Sequence, residues 1–401
     1  MISIIIPTRE RAAYLRHALA SCLAVPIPDA EILVLDNASE DDTGAVVSAL
    51  RDPRIRYLRN DRRLSMRDNF EKAIDASRGE ILLTIGDDDA VLPRALPEAL
   101  EMLQDPVIQA VACERAHYYW PDYASGLGGM ALVPRGRGHR VLDSRAMLRG
   151  VLEDANYYRL PCVYHGIVRR SLIERVQREQ GRLFLSSQVD MYSAIALSMQ
   201  GVSYALCAFP FIVNGSSSRS NGAAHFGGGA AREKELWKQE DEVGFLPGFA
   251  DCRTIGALIV ESALRYAAAH PPLQIDGILD PESMRTALGK EARLRLDEGR
   301  DASDALAPFR AAGLDPAEPT TTKRSPDSRV RRAIGRFDAF LRARPMDLAS
   351  RGIVDVQGAA RAIEDPALQR FSASGAIAQL GAALRMARVR SQSPASSRRA
   401  T

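Results

Sequence analysis

Short apolar runs alternate with longer amphipathic ones through residues 1–112. Strand-like runs fall at 3–6, 31–36, 55–58, 80–85 and 107–112, rich in Ile, Leu and Val and bounded by polar or glycine positions. Between them, 11–23, 41–50, 66–76 and 95–103 place Leu, Ala, Val and Phe at helical spacing. Ser39 and the pair Asp41-Asp42 supply start signals for the second of these helices. Strand and helix in alternation predict an α/β domain built on a mostly parallel sheet flanked by helices. A Gly, Pro and Arg-rich stretch at 124–140 interrupts the pattern and reads as a long loop. Order resumes with a strand at 162–168, helices at 171–180 and 190–199, and a strand at 203–209.

A second break comes at 214–229, where Ser, Gly, Asn and Ala dominate. Beyond it the periodicity is helical, at 232–242, 253–269, 282–296, 330–342 and 377–387, with no convincing strand and a proline- and threonine-rich connector at 315–327. The tail 388–401 is rich in Ser and Arg, lacks an apolar period and is expected to be disordered. The chain therefore divides into an α/β domain (1–229), a mainly α-helical C-terminal region (230–387) and a basic tail (388–401).

Composition narrows the class. Of 401 residues, 46% are hydrophobic and charge is of mixed sign, which fits a globular protein. A net charge of +3 is too small to call for nucleic acid as an obligatory partner. The five cysteines are scattered, with no Cys-x-x-Cys spacing, so neither a disulfide framework nor a zinc knuckle is indicated and a reducing cytoplasm fits best. No apolar stretch reaches bilayer-spanning length and the start resembles no signal peptide, although peripheral contact with the inner face of a membrane stays open.

The candidate chemistry lies where strands end. The apolar run before Gly86 is followed by Asp87-Asp88-Asp89, three acids at the carboxyl end of a predicted strand, where open α/β sheets bind ligands. Their mutual repulsion would be relieved by a hard divalent cation, Mn²⁺ or Mg²⁺, which takes one or two carboxylates and leaves positions for phosphate. The first strand ends in Pro7-Thr8-Arg9-Glu10-Arg11 and the second in Asp36-Asn37-Ala38-Ser39. Three polar clusters on one sheet edge suit a nucleotide. Taken singly, each also reads as a turn, a helix cap or a surface charge. Downstream, the loop from Asn214 to Gly222, with Arg219 and then His225, combines backbone amides with a cation and could wrap anionic oxygens, or be a plain linker. His165 could meet a sugar or simply support a strand.

The order of these motifs, Ile4-Ile-Ile-Pro-Thr-Arg9, Val34-Leu-Asp-Asn-Ala-Ser39, Asn69-Phe70 and Gly79 to Asp89, resembles glycosyltransferase family 2, closely over 1–115 and loosely over 116–225. The resemblance implies a GT-A, Rossmann-like fold and an inverting, metal-assisted hexosyl transfer. The donor would be a UDP-, GDP- or dTDP-sugar, and the acceptor a hydroxyl of a glycan, lipid-linked saccharide or protein, as in polysaccharide biosynthesis. It also implies roles. Thr8, Arg9, Glu10 and Asn69 would line the nucleotide pocket, Asp36 would meet the base, and Asp87 would lie near the ribose with Asp88 beside it. Asp89 would be the principal metal ligand, with His225 completing the shell, and Arg219 would meet the diphosphate. Asp190, ahead of an apolar helix, would be the catalytic base. The acidic pair usual in the family is missing there, because Gln188 and Val189 precede it, and Glu153 and Asp154 are substitutes.

Two other readings remain. A sugar-1-phosphate nucleotidyltransferase shares the architecture but carries a glycine-rich loop after its first strand, which Pro7 to Arg11 lacks. A non-catalytic nucleotide-sugar-binding or scaffold protein of the same fold would keep Asp36 and the Asp triplet without a base. In either case the helical half could serve homo-oligomer contacts.

Overall fold

A computed structural model of the protein describes residues 1–123, 126–220, 240–250, 252–315 and 343–369. The amino-terminal alternation forms as expected: β1 (Ile2–Thr8), α1 (Ala12–Leu23), β2 (Glu31–Asp36), α2 (Thr43–Ala49), β3 (Ile55–Arg59), α3 (Met66–Ala76) and β4 (Ile81–Thr84). β1 and β2 are buried at every position, so they read as continuous apolar runs rather than alternating ones. Ser3, a polar residue inside β1, is satisfied there. Its hydroxyl donates to Glu31 and accepts from the Gly79 amide at 2.7 Å.

Further along come β5 (Ala90–Val91), α4 (Ala95–Glu101), β6 (Ile108–Cys113), β7 (Ala116–Tyr119), β8 (Met130–Pro134), β9 (His139–Asp143), α5 (Ser144–Arg149) and α6 (Val151–Asp154). The domain continues through β10 (Ile167–Arg169), α7 (Arg170–Gln180), α8 (Val189–Ser198), β11 (Ser203–Cys207) and β12 (Ile212–Ser216). Eight strands form the main sheet in the order β3-β2-β1-β4-β10-β6-β11-β9. β3, β2, β1 and β4 run parallel, while β10 and β9 pair antiparallel to their neighbours. Apolar clusters cover both faces, one centred on Ile4, Ile6 and Leu83 and the other on Ile5, Leu82 and Val168.

Two expectations are corrected. Residues 124–140 are not one loop, since β8 and the start of β9 lie within them. The C-terminal region also contributes a strand, β13 (Ala343–Asp347), which completes a second sheet in the order β13-β8-β7-β12-β5. The helix Val356–Glu364 follows and packs Val356, Ala359, Ala360 and Ile363 with Tyr14 and Trp120 of the amino-terminal domain. Helices Ile255–Ala269 and Pro281–Asp297 bury their apolar faces with α8 in the larger core. The expected helices at 330–342 and 377–387, most of 232–242, and the tail 388–401 lie outside the described residues. No helix among the described residues is long and apolar enough to cross a membrane, and all five cysteines are buried and outside any disulfide.

Candidate active site

Because β2, β1 and β4 are adjacent and parallel, their carboxyl ends open onto one edge. The segments after them bring Thr8 to Arg11, Asp36 to Ser39 and the Asp triplet together there. β12 then crosses this edge, since its Gly215 lies so close that a Cβ would sit 1.8 Å from the Asp88 carbonyl oxygen. The indole Nε1 of Trp120 donates to the same carbonyl at 2.9 Å. No larger residue fits at 215 without moving the strand.

The three carboxylates are 2, 4 and 1% exposed in chain order, yet they differ in what holds them. Asp87 accepts from Thr8 Oγ1 at 2.7 Å on one oxygen and from Arg11 Nη1 at 3.0 Å on the other. Asp88 Oδ2 accepts from Ser217 Oγ at 2.7 Å and Ser220 Oγ at 2.5 Å, and no hydrogen bond from a described residue ends on Oδ1. Burial, together with the negative charge of Asp89, pushes the Asp88 carboxyl up to about 6.

Asp89 is the most heavily bonded. Its Oδ1 accepts from the Gly215 amide at 2.8 Å, and its Oδ2 accepts from the Gly86 amide at 2.6 Å, Tyr164 Oη at 2.9 Å and His165 Nε2 at 2.6 Å. Burial works against its charge, but His165 and the two amides outweigh it and hold the carboxyl below the ordinary range. Three of these donors crowd Oδ2, while Oδ1, with one donor, keeps a lone pair.

His165 is a support for Asp89 that depends on a second residue. Arg115 Nη1 lies 3.0 Å from His165 Nδ1, and a guanidinium can only donate. Nδ1 therefore accepts, and the ring proton sits on Nε2, facing Asp89. Burial pulls the imidazole below its ordinary pKa, in keeping with a neutral ring. Its backbone is left-handed, φ 67°. The Arg115 guanidinium in turn stacks 4.0 Å above the Tyr158 ring.

Asp190 opens the first turn of α8 and belongs to the same polar cluster, because its charge acts on Arg115, Tyr164 and His165. Tyr157 Oη donates to its Oδ2 at 2.5 Å, and its Oδ1 accepts from the Met191 amide at 2.8 Å. Of the substitutes, Glu153 is exposed and the Asp154 side chain is 72% exposed, 3.7 Å from Arg159.

The other expected residues fall as follows. Asp36 accepts from the Ser39 amide at 2.9 Å and from Tyr57 Oη at 2.6 Å, one on each oxygen. Glu10 has φ 56° and caps the next loop, accepting from the Glu40 and Asp41 amides and from Arg63. Arg9 is ion-paired with Glu240. Asn69 accepts from Asn60 Nδ2 at 2.7 Å, and Asn60 also donates to Asn37, a buried network beneath the edge. Arg219 donates to the Glu10 carbonyl at 2.7 Å, while Arg11 donates to the Arg219 carbonyl. His225 lies outside the described residues.

Sequence reasoning gave no role to Arg115, Tyr157 or Tyr164, and none to Ser217 and Ser220 beyond their place in the loop from Asn214 to Gly222. The charged pair Glu114-Arg115 directly after the apolar β6 was the available signal for Arg115. No group of three or more His, Cys, Asp or Glu among the described residues could hold a metal ion.

An uncharacterized protein of Mycobacterium tuberculosis is 32% identical over 108 residues, 27% of this chain and 34% of that protein. The GalNAc(5)-diNAcBac-PP-undecaprenol beta-1,3-glucosyltransferase of Campylobacter jejuni is 34% identical over 103 residues, 25% of this chain and 33% of its own. The chain spans between 16% and 49% of the length of the curated relatives it matches. Among solved structures, S. aureus TarS 1-349 in complex with UDP-GlcNAc aligns with TM-score 0.45 and 13% identity, covering 73% of this chain and 80% of that one. The sequence pattern described as glycosyl transferase family 2 matches residues 3–156, the stretch that carries the ends of β1, β2 and β4. Over residues 3–156, this chain is thus similar to glycosyl transferase family 2.

Proposed function

We propose that the chain transfers a sugar from a nucleotide-diphospho-sugar to an acceptor hydroxyl with inversion, assisted by a divalent cation. The observation that supports it most is the single edge where Thr8, Arg11, Asp36 and the Asp triplet meet inside a family 2 domain. Asp36 has two of its lone pairs engaged and keeps others for a nucleobase. Asp87, held by Thr8 and Arg11, stands beside the ribose.

The residues present fit a cation, and the fit favours Asp88. Asp89 already accepts four protein donors, three of them on Oδ2, whereas Asp88 accepts two and its Oδ1 receives none from described residues, and Mg²⁺ and similar ions need only one or two carboxylates beside phosphate and water. We therefore give Asp88 the ligand role and Asp89 the task of fixing the Gly86–Asp89 turn; His225 remains a proposed further ligand. When bound, the ion would neutralise charge on the departing diphosphate.

The acceptor oxygen attacks the anomeric carbon as the bond from that carbon to the diphosphate oxygen breaks, so one displacement inverts the centre. Asp190 takes the hydroxyl proton on a lone pair of Oδ2 that Tyr157 does not use, and Tyr157 fixes the direction of the carboxylate. Arg219, which donates to the Glu10 carbonyl, would meet the diphosphate through charge-assisted bonds. The Campylobacter relative is named for transfer to a polyprenol-diphosphate-linked glycan, which favours a glycan or lipid-linked acceptor.

The test is product formation beside donor affinity for wild type and Asp190→Asn. Transfer should fall by ~10²–10⁴-fold with donor binding retained. Undiminished transfer would move the base elsewhere, and absence of any transfer by wild type across a broad donor and acceptor panel would favour the binding-protein reading.

A further inference from the structure

Away from the polar edge, a cleft of about 630 Å³ lies where the β8–β9 turn, the start of α4 and the segment 343–366 meet. None of the residues placed above at the donor site lines it. Four arginines from separate parts of the chain line it: Arg94 ahead of α4, Arg135 and Arg137 in the turn, and Arg344 from β13. Two carboxylates also line it. Glu364 is already engaged, accepting from the Arg94 amide at 2.9 Å and the Ala95 amide at 3.0 Å. Glu98, on α4, is exposed.

Arg344 is the informative member. It is half-buried, its partner among the described residues is the neutral carbonyl of Leu368 at 3.0 Å, and no described carboxylate lies within ion-pair distance. Burial, and then the like charge of Arg135, pull its pKa down. Folding alone gains little from taking the Arg344 guanidinium half out of water with a neutral carbonyl as its partner among the described residues. An oxyanion in the cleft beside Arg344 offsets that cost, and the planar guanidinium matches phosphate with two parallel hydrogen bonds.

We propose that this cleft binds a phosphate-class oxyanion, at a second anion site separate from the donor edge. Residues from β13 and from the amino-terminal domain both line it, so it exists only when the segment 343–369 is docked. The phosphate could belong to a soluble phosphate compound or to a lipid headgroup, and the experiment separates these sources.

Inorganic pyrophosphate would be titrated calorimetrically into the full chain, kept saturated with a nucleoside diphosphate so that the donor edge is occupied. The comparison is with Arg137→Gln, in which an exposed side chain changes, and with Arg137→Gln/Arg344→Gln. Wild type should bind, Arg137→Gln should bind more weakly, and the double variant should lose at least about tenfold in affinity, with nucleoside diphosphate affinity unchanged in all three. Co-sedimentation with phosphatidic acid vesicles, against phosphatidylcholine vesicles, forms the second arm. Capture that is lost in the variants assigns a lipid phosphate, and pyrophosphate binding without capture assigns a soluble one. The proposal is overturned if wild type shows neither, or if Arg137→Gln, whose folding is checked by its melting temperature, binds as wild type does. Because the readout is anion binding and not transfer, its failure leaves the glycosyltransferase reading untouched.

Discussion

At the scale of single residues, adjacent aspartates with the same formal charge are given different tasks by their donors. Asp88→Asn should abolish the cation-linked part of nucleoside diphosphate binding while leaving the melting temperature near wild type; equal Mn²⁺-dependent binding in both proteins would return the ligand role to Asp89. Asp89→Asn should instead destabilise the fold by about 3 kcal/mol in urea unfolding, since buried donors built around a charge would face an amide. A second buried acid predicts pH behaviour. Burial opposes the charge of Glu31, but Ser3, the Arg78 amide at 2.8 Å and Arg56 at 2.6 Å outweigh it and lower its pKa. A folded pKa below the unfolded one gives stability that is complete above the ordinary glutamate value and disappears as pH falls through the lowered one. Melting temperatures of wild type and Glu31→Gln should therefore differ at neutral pH and converge in acid; parallel curves would refute the assignment.

At the scale of elements, what was legible follows from burial. β1, β2 and β4 are apolar because helices cover both faces of the sheet, and that pattern needs no knowledge of distant contacts. The second sheet gave no such signal. β5 is two residues long, β8 sits in a stretch dense in Gly and Pro, and β13 reads Ala-Arg-Pro-Met-Asp, with charge and proline where a strand pattern would be sought. The Asp triplet was visible because its charge is local. The division of labour within it was not, because Gly215, Tyr164 and His165 reach Asp89 from positions 75 or more residues away. Gly215→Ala tests that convergence. The methyl group would collide with the Asp88 carbonyl, so β12 must retreat, at a cost of about 3 kcal/mol or more, and cation-linked binding should weaken with it. A variant as stable as wild type would show that β12 has room the geometry denies.

For the whole molecule, the C-terminal half does more than extend the chain. β13 and the helix Val356–Glu364 cover Tyr14, Trp120 and the face of β8. A chain ending before residue 343 should melt several degrees lower and bind a hydrophobic dye; an unchanged melting temperature would mark the segment as dispensable. The antiparallel pairing of β8 with β13 also has a consequence in time. Pro134 and Ala343 are register partners, yet the ribosome delivers the second only after more than two hundred further residues. Until then β8 is an open edge, the form of strand most prone to recruit a stranger. The nascent protein is thus most vulnerable to misassembly late in its synthesis, when nearly all of the amino-terminal domain already exists, and slowing translation before codon 343 should lengthen that exposure.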